Sequence, residues 1–184
     1  MLDSQQGSPS FDGEAFHAPG RPPILVSACL LGIRCRYDGR DSRAPALVQR
    51  TVDFLPLAVC PEQLGGLPTP RPPATIHGGD GRDVLKGRAR LWNEQGEDVT
   101  DLFLKGARET LRIAKICRTR VALFKDRSPS CGLSTPYCER PGGGMGVTAA
   151  LLHAEGIRVV EVRPDSVFPP LDLARCLGAP GARP

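Results

Sequence analysis

Seven cysteines, at positions 29, 35, 60, 117, 131, 138 and 176, are the residues of this 184-residue chain best suited to chemistry. Three of them close apolar runs. Ile24-Leu25-Val26-Ser27-Ala28 leads directly into Cys29, Leu55 to Val59 into Cys60, and Val121-Ala122-Leu123-Phe124 into Cys131 after a short turn. Runs of this kind read as buried strands. If they are neighbours in a parallel sheet, the groups that follow their ends gather on one rim, where such sheets bind ligands. A thiolate set without histidine selects zinc, copper(I) or an iron–sulfur cluster over hard cations. None of the three belongs to a Cys-x-x-Cys pair, which disfavours a structural zinc ribbon and suits a cluster held by distant loops. A cubane normally takes four cysteines; with three, one iron is left open as a Lewis acid. The alternative is a small hydrophobe packed at each strand end, and spacing alone leaves both readings open.

The elements that must position these thiols are short strands alternating with helices. Leu55 to Val59 is expected as the second strand, preceded by a short helix over Ala46 to Phe54. The stretch from Pro61 to Pro73 is too rich in Pro and Gly for a helix or central strand and reads as a loop. Val84 to Asn93, with a turn at Glu94-Gln95-Gly96, suggests a small hairpin or edge element. Asp98 is expected to cap a helix on which Val99, Leu102, Phe103, Ala107, Leu111 and Ala114 recur at helical spacing. A turn at Gly142 to Gly146 opens a helix through Ala154, and Ile157 to Val162 forms the last strand. The fold class is therefore α/β: a single Rossmann-like domain over 23–164, its sheet mainly parallel with helices on both faces. Residues 1–22 read as a disordered leader and 165–184 as an irregular tail.

Composition narrows the function classes. Hydrophobic residues make up 40% and charged residues 24%, which suits one globular core, and the net charge of +4 is too mild and scattered to argue for nucleic acid. No secretory h-region and no membrane-length apolar run is visible, so a cytoplasmic protein with reduced thiols is expected.

The motifs Ser27-Ala28-Cys29-Leu30-Leu31-Gly32, Arg36-Tyr37-Asp38-Gly39, Cys60-Pro61-Glu62, Gly65-Gly66-Leu67-Pro68-Thr69-Pro70-Arg71-Pro72 and Arg127-Ser128-Pro129-Ser130-Cys131-Gly132 stand in order. Gly79-Asp80-Gly81, Asp98-Val99-Thr100 and Gly146-Val147-Thr148-Ala149-Ala150-Leu151-Leu152 accompany them. Together, over about Ile24 to Val162, they resemble the bacterial domain-of-unknown-function family that includes the 2-thiouracil desulfidases. The resemblance implies an α/β domain binding a [4Fe–4S] cluster through three cysteines, with substrate sulfur leaving onto the open iron. By position the ligands map to Cys29, Cys60 and Cys131, the acid/base carboxylate to Glu62, and the active-site serine to Ser128 or Ser130. The chain departs from the family pattern at Thr75, where relatives carry glutamate, and in a shortened segment from Leu133 to Gly144.

Each assignment has a plainer rival. Glu62 is alternatively the partner of Arg71 in a loop salt bridge, and Ser128 a turn cap before Pro129. Arg36, Asp38 and Arg71 would grip a planar heterocycle or its anion, or brace loops as ion pairs. Lys125 is a substrate contact or a solvated strand end. The Gly142–Gly146 turn resembles an anion cradle but lacks a strand before it, so a flexible loop is preferred. Cys35, flanked by Arg34 and Arg36, is expected as a thiol of lowered pKa near the cluster rather than a ligand. His77 reads as a surface loop residue, Cys117 as packing, and Cys138 and Cys176 as incidental. The expected activity is a non-redox desulfidase acting on a small thiolated pyrimidine or similar thiocarbonyl, with no nucleic-acid or membrane partner. The rivals are a non-catalytic sulfur- or metal-handling module and a structural zinc domain.

Overall fold

The computed structural model describes residues 21–165. Four of the apolar runs are strands of one parallel sheet: β1 (Pro23–Ser27), β2 (Leu55–Val59), β5 (Val121–Lys125) and β6 (Arg158–Val162), in the order β2-β1-β5-β6. Ile24, Leu25 and Val26 are all fully buried, because alternate side chains of β1 enter different cores. Ile24 and Val26 pack with Leu47 and Phe54 on one face, while Leu25 packs with Ala114 and Leu152 on the other. Those contacts come from α1 (Pro45–Gln49) and the segment after it on one side, and from α4 (Thr100–Ile116) and α5 (Val147–Ala154) on the other. The α/β class with helices on both faces follows directly.

The chain leaves β1 for β2 on one side and returns to β5 on the other. β1 and β5 therefore flank the point where the winding reverses, the place where parallel sheets open a crevice. Ser27, the last residue of β1, staples that point: its hydroxyl accepts the Lys125 N–H at 3.0 Å.

Three expectations change. The Pro61–Pro73 stretch is not all loop, since α2 (Pro61–Gly65) starts immediately after Cys60. Pro61 occupies the first turn, where a missing N–H costs nothing. Gly66 ends the helix in the left-handed region at φ 103°. The same residue types that break a helix in its middle here begin and end one. Val84 lies in α3 (Gly81–Leu85), whose start is fixed by a capping box between Asp80 and Asp83. Only Arg90–Asn93 is strand (β4), and it pairs antiparallel with β3 (Ala74–His77) rather than with anything after the 94–96 turn beyond a single Trp92–Asp98 bridge. The cap of α4 is Val99, although the Asp98 carboxylate still takes the Thr100 N–H at 3.0 Å.

Helix α4 serves two cores. Val99, Phe103 and Ala107 pack on β3 and β4, and Leu111 and Ala114 on the main sheet. It also crosses α2, too closely for any side chain at the crossing. A Cβ on Gly106 would lie 1.9 Å from the Pro61 carbonyl oxygen, and one on Gly65 would lie 2.1 Å from that of Leu102. The two glycines let backbone meet backbone, which seats α2 and therefore Cys60 and Glu62.

The leader and tail expected over 1–22 and 165–184 lie outside the described residues except at their inner ends, where the Pro22 carbonyl takes the Leu55 N–H at 3.0 Å and so extends the β1–β2 pairing. Among the described residues, no helix is long and apolar enough to cross a membrane.

Candidate metal centre and substrate cavity

Each of the three predicted thiols is placed by a strand end. The register pairs Ser27 with Val59, so Cys29 and Cys60 leave β1 and β2 within one residue of each other. Cys29 lies in a 3-10 turn, Ala28–Leu31. Cys131 sits in the turn after β5, and α5 holds that turn. The N–H groups of Val147, Thr148 and Ala149 donate to the carbonyls of Pro129 and Ser130 at 2.9–3.1 Å. Gly146 permits this approach, since a Cβ there would lie 2.6 Å from the Ser130 carbonyl. The helix N-terminus is thus committed to protein carbonyls, and the Gly142–Gly146 turn is no anion cradle.

Cys29, Cys60 and Cys131 all line one cavity of about 300 Å³ at this rim, at the lower end of the range for small-molecule sites. Cys35 joins them. It is buried at 2% exposure and packs with Ala28, Cys29 and Cys60. The sequence suggested a thiol of lowered pKa there; the structure gives the reverse. The hydrogen bond with Cys29, with burial adding to it, pushes the Cys35 thiol up to about 11. Flanking arginines did not decide its environment because the ring of neighbouring thiols does. Burial pushes Cys131 up to about 12 against hydrogen bonds from Ser27 and Ser128 that favour its thiolate, and the hydrogen bond with Cys35 and burial raise Cys60 as well. Thiols crowded in this way stay protonated until a cation supplies the charge that ionises them.

The other predicted site residues divide. Glu62, Arg71, Arg36, Lys125 and Ser128 line the cavity; Asp38 and Ser130 do not. Glu62 stands in the first turn of α2 and pairs with Arg71, Nε to Oε2 at 2.7 Å, with side chains only 15% and 4% exposed. Arg71 puts three more donors on the Pro68 carbonyl, the Thr69 hydroxyl and the Cys35 carbonyl at 3.0–3.1 Å. It ties the carboxylate to the cysteine loop. Arg36 is held by Asp38 at 3.0 Å and by the Ser42 hydroxyl, so Asp38 acts through Arg36, and it also takes the Arg40 N–H of the same loop. Lys125 Nζ donates to Asp126 at 2.9 and 3.2 Å. Ser128 Oγ accepts the N–H groups of Ser130 and Cys131 at 3.2 and 3.0 Å, capping the turn that carries the thiol. Ser130 is 1% exposed and bonds Thr148 Oγ1 at 2.8 Å, away from the cavity.

Sequence reasoning missed Ser27, Tyr37, Glu94, Arg127 and Tyr137 on the cavity wall. Tyr37 lies inside a motif already singled out, between two residues assigned to substrate. Glu94 and Tyr137 are brought in by the pairing of β3 with its neighbours, for which the sequence carries no local signal. Arg127 has φ +50°, a backbone conformation uncommon for arginine.

The family profile for 2-thiouracil desulfurase matches residues 24–163. The chain belongs to that family. Among its relatives is the uncharacterized protein YbbK of Bacillus subtilis (strain 168), 45% identical over 141 residues, which are 74% of this chain and 93% of YbbK. A solved structure of the [4Fe-4S]-dependent thiouracil desulfidase TudS superposes with a TM-score of 0.69 at 38% identity, covering 85% of this chain and 99% of TudS. Among the described residues, no three His, Cys, Asp or Glu side chains are gathered as ligands of a single metal ion. The thiols line a cavity with no histidine on its wall. That soft, all-thiol donor set fits the ligand chemistry of an iron–sulfur cluster.

Proposed function

We propose that this protein is a [4Fe–4S]-dependent, non-redox desulfidase that removes sulfur from a thiolated pyrimidine resembling 2-thiouracil, or from a similar small thiocarbonyl. One observation carries the reading: Cys29, Cys60 and Cys131, at the ends of three adjacent parallel strands, line the same cavity as the Glu62 carboxylate. These three cysteines would hold the cluster. When bound, it supplies an iron corner with affinity for soft sulfur.

The remaining work falls to the chain. Glu62 is held by Arg71 beside the cysteines, where a carboxylate oxygen takes a proton from water and returns it to the departing sulfur. Arg71 is the positioning residue, since its single guanidinium fixes both Glu62 and the Cys35 loop. Arg36 and Lys125, each restrained by a neighbouring carboxylate, present donors to the carbonyl side of a heterocycle. Ser128 keeps the Cys131 turn in place. In sum, the oxygen of water replaces sulfur on the thiocarbonyl carbon, and its two protons leave with the sulfur as hydrogen sulfide. No electron changes hands.

Anaerobic purification followed by iron, acid-labile sulfide and zinc analysis, with uracil and sulfide release from 2-thiouracil, tests the reading. Iron and sulfide near four per chain, turnover, and its loss in Glu62→Gln are expected. Stoichiometric zinc without colour would make the site structural. A cluster without turnover of any thiocarbonyl would leave a sulfur-handling module.

A further inference from the structure

Resting on the desulfidase reading, we propose that Tyr37 and Tyr137 form aromatic walls that select flat heterocyclic thiocarbonyls, which makes them the specificity-determining pair of the cavity. The chain has only two tyrosines, and both line this cavity. Aromatic residues are scarce here at 5% of the sequence. Phe54, Phe103 and Phe124 are spent in the cores at 0–2% exposure, whereas both tyrosines stay 43% exposed. A lone exposed tyrosine means little. Two on one cavity, from segments a hundred residues apart, are a placement that the fold maintains.

The backbone shows how it is maintained. The Tyr37 carbonyl takes the Arg71 N–H at 2.8 Å, and the Tyr137 carbonyl takes the Ile76 N–H at 3.0 Å. Both loops are therefore pinned to the two ends of one segment, 71–76, of which Pro73 and Ala74 also line the cavity. The Tyr137 loop is further closed by its own N–H to Thr135 Oγ1 and by paired Thr135–Gly144 backbone bonds at 2.8 and 3.1 Å. The Tyr37 ring is backed by the Arg36 guanidinium, 5.7 Å from its centroid, and Arg36 is in turn clamped by Asp38 and Ser42. What these bonds preserve is the position of the two rings. Rings beside a small cavity offer stacking to a planar base, and stacking tolerates any base with a π-face. A thioamide without a ring gains nothing from them.

The test uses the cluster-loaded full chain, Tyr137→Leu and Tyr137→Phe, with uracil affinity measured by calorimetry and KM measured for 2-thiouracil and for thiourea. Leu is expected to weaken uracil binding and raise the 2-thiouracil KM about tenfold, the scale of losing one base–aromatic stack. The thiourea KM should rise far less. Phe should stay within about twofold of wild type, and iron content should stay unchanged in both variants. The proposal is overturned if Leu leaves uracil affinity within twofold, if Phe fails as badly as Leu, or if both substrates suffer equally. Should wild type turn over no thiocarbonyl, the desulfidase reading fails, yet uracil affinity still decides the walls. Weakening by Leu alone supports them; absent or unaltered binding refutes them.

Discussion

Gly106→Ala should destabilise this protein, although the same exchange in an ordinary helix interior stabilises by about 1 kcal/mol. The added methyl would sit 1.9 Å from the Pro61 carbonyl oxygen, where ordinary contact begins at 3.4 Å, so α2 and α4 must part by about 1.5 Å. The obstacle is backbone on both sides, and no rotamer change relieves it. Overpacking costs typically about 1–3 kcal/mol and here belongs at the upper end. After the propensity gain is subtracted, a net loss of about 2 kcal/mol remains, a fall in Tm of roughly 4–8 °C for a chain of this size. Because α2 begins at Pro61, the shift also carries Cys60 and Glu62 relative to Cys29, Cys131 and Arg71. A displacement of that size is worth about a hundredfold in turnover. Thermal denaturation of anaerobically purified wild type and variant, with desulfuration rates alongside, measures both. Gly65→Ala, across the same crossing, should act in the same direction, and the pair should be less than additive. A Gly106→Ala protein that melts at or above the wild-type temperature would show that the crossing can open freely and that α2 is not seated by it.

Cys29→Ala, Cys60→Ala and Cys131→Ala should each purify without a full complement of iron, whereas Cys35→Ala should retain it; iron and sulfide assays decide. The two serines should separate: Ser128→Ala removes the cap on the Cys131 turn and should lower iron retention, while Ser130→Ala should cost about 1–2 kcal/mol through its lost bond to Thr148 and leave iron content intact. Burial pushes the Asp80 carboxyl up, but hydrogen bonds from the Arg82 side chain and backbone, with the charges of Arg82 and Arg140, outweigh it and hold it below the ordinary range. The unfolded chain therefore protonates first as pH falls, so the stability Asp80 contributes is complete above about pH 4 and is lost below it. Asp80→Asn should cost roughly 1–3 kcal/mol at pH 7 in denaturant titrations, and a gap from wild type that failed to shrink at pH 3 would refute this account.

The parallel core was legible because Ile24 to Val26 and Val121 to Phe124 are continuous apolar runs, and only strands covered on both faces need such runs. The cysteines at their ends were legible for the same reason. What escaped depends on partners distant in sequence. Pro61 and Gly66 read as breakers until their positions at the ends of a helix are known. β3 is only four residues, Ala74–His77, and becomes a strand by pairing with β4. The choice between Ser128 and Ser130 turns on which hydroxyl faces the cavity, and that is set by the packing of α5 against the turn. Cys35 was noticed for its arginine neighbours, yet its environment is made by two other cysteines and by Arg71.

The strand order has a consequence for how such a protein can change. The thiols proposed to hold the metal are welded to a sheet whose disruption would unfold the chain. Tyr137, by contrast, hangs on a connecting segment held to Ile76 and closed by the Thr135–Gly144 pair, apart from the loop that carries Cys35. Rewriting that connection would reshape one side of the cavity and leave the Cys29–Cys35–Cys60 packing in place, a graft rather than a rebuild.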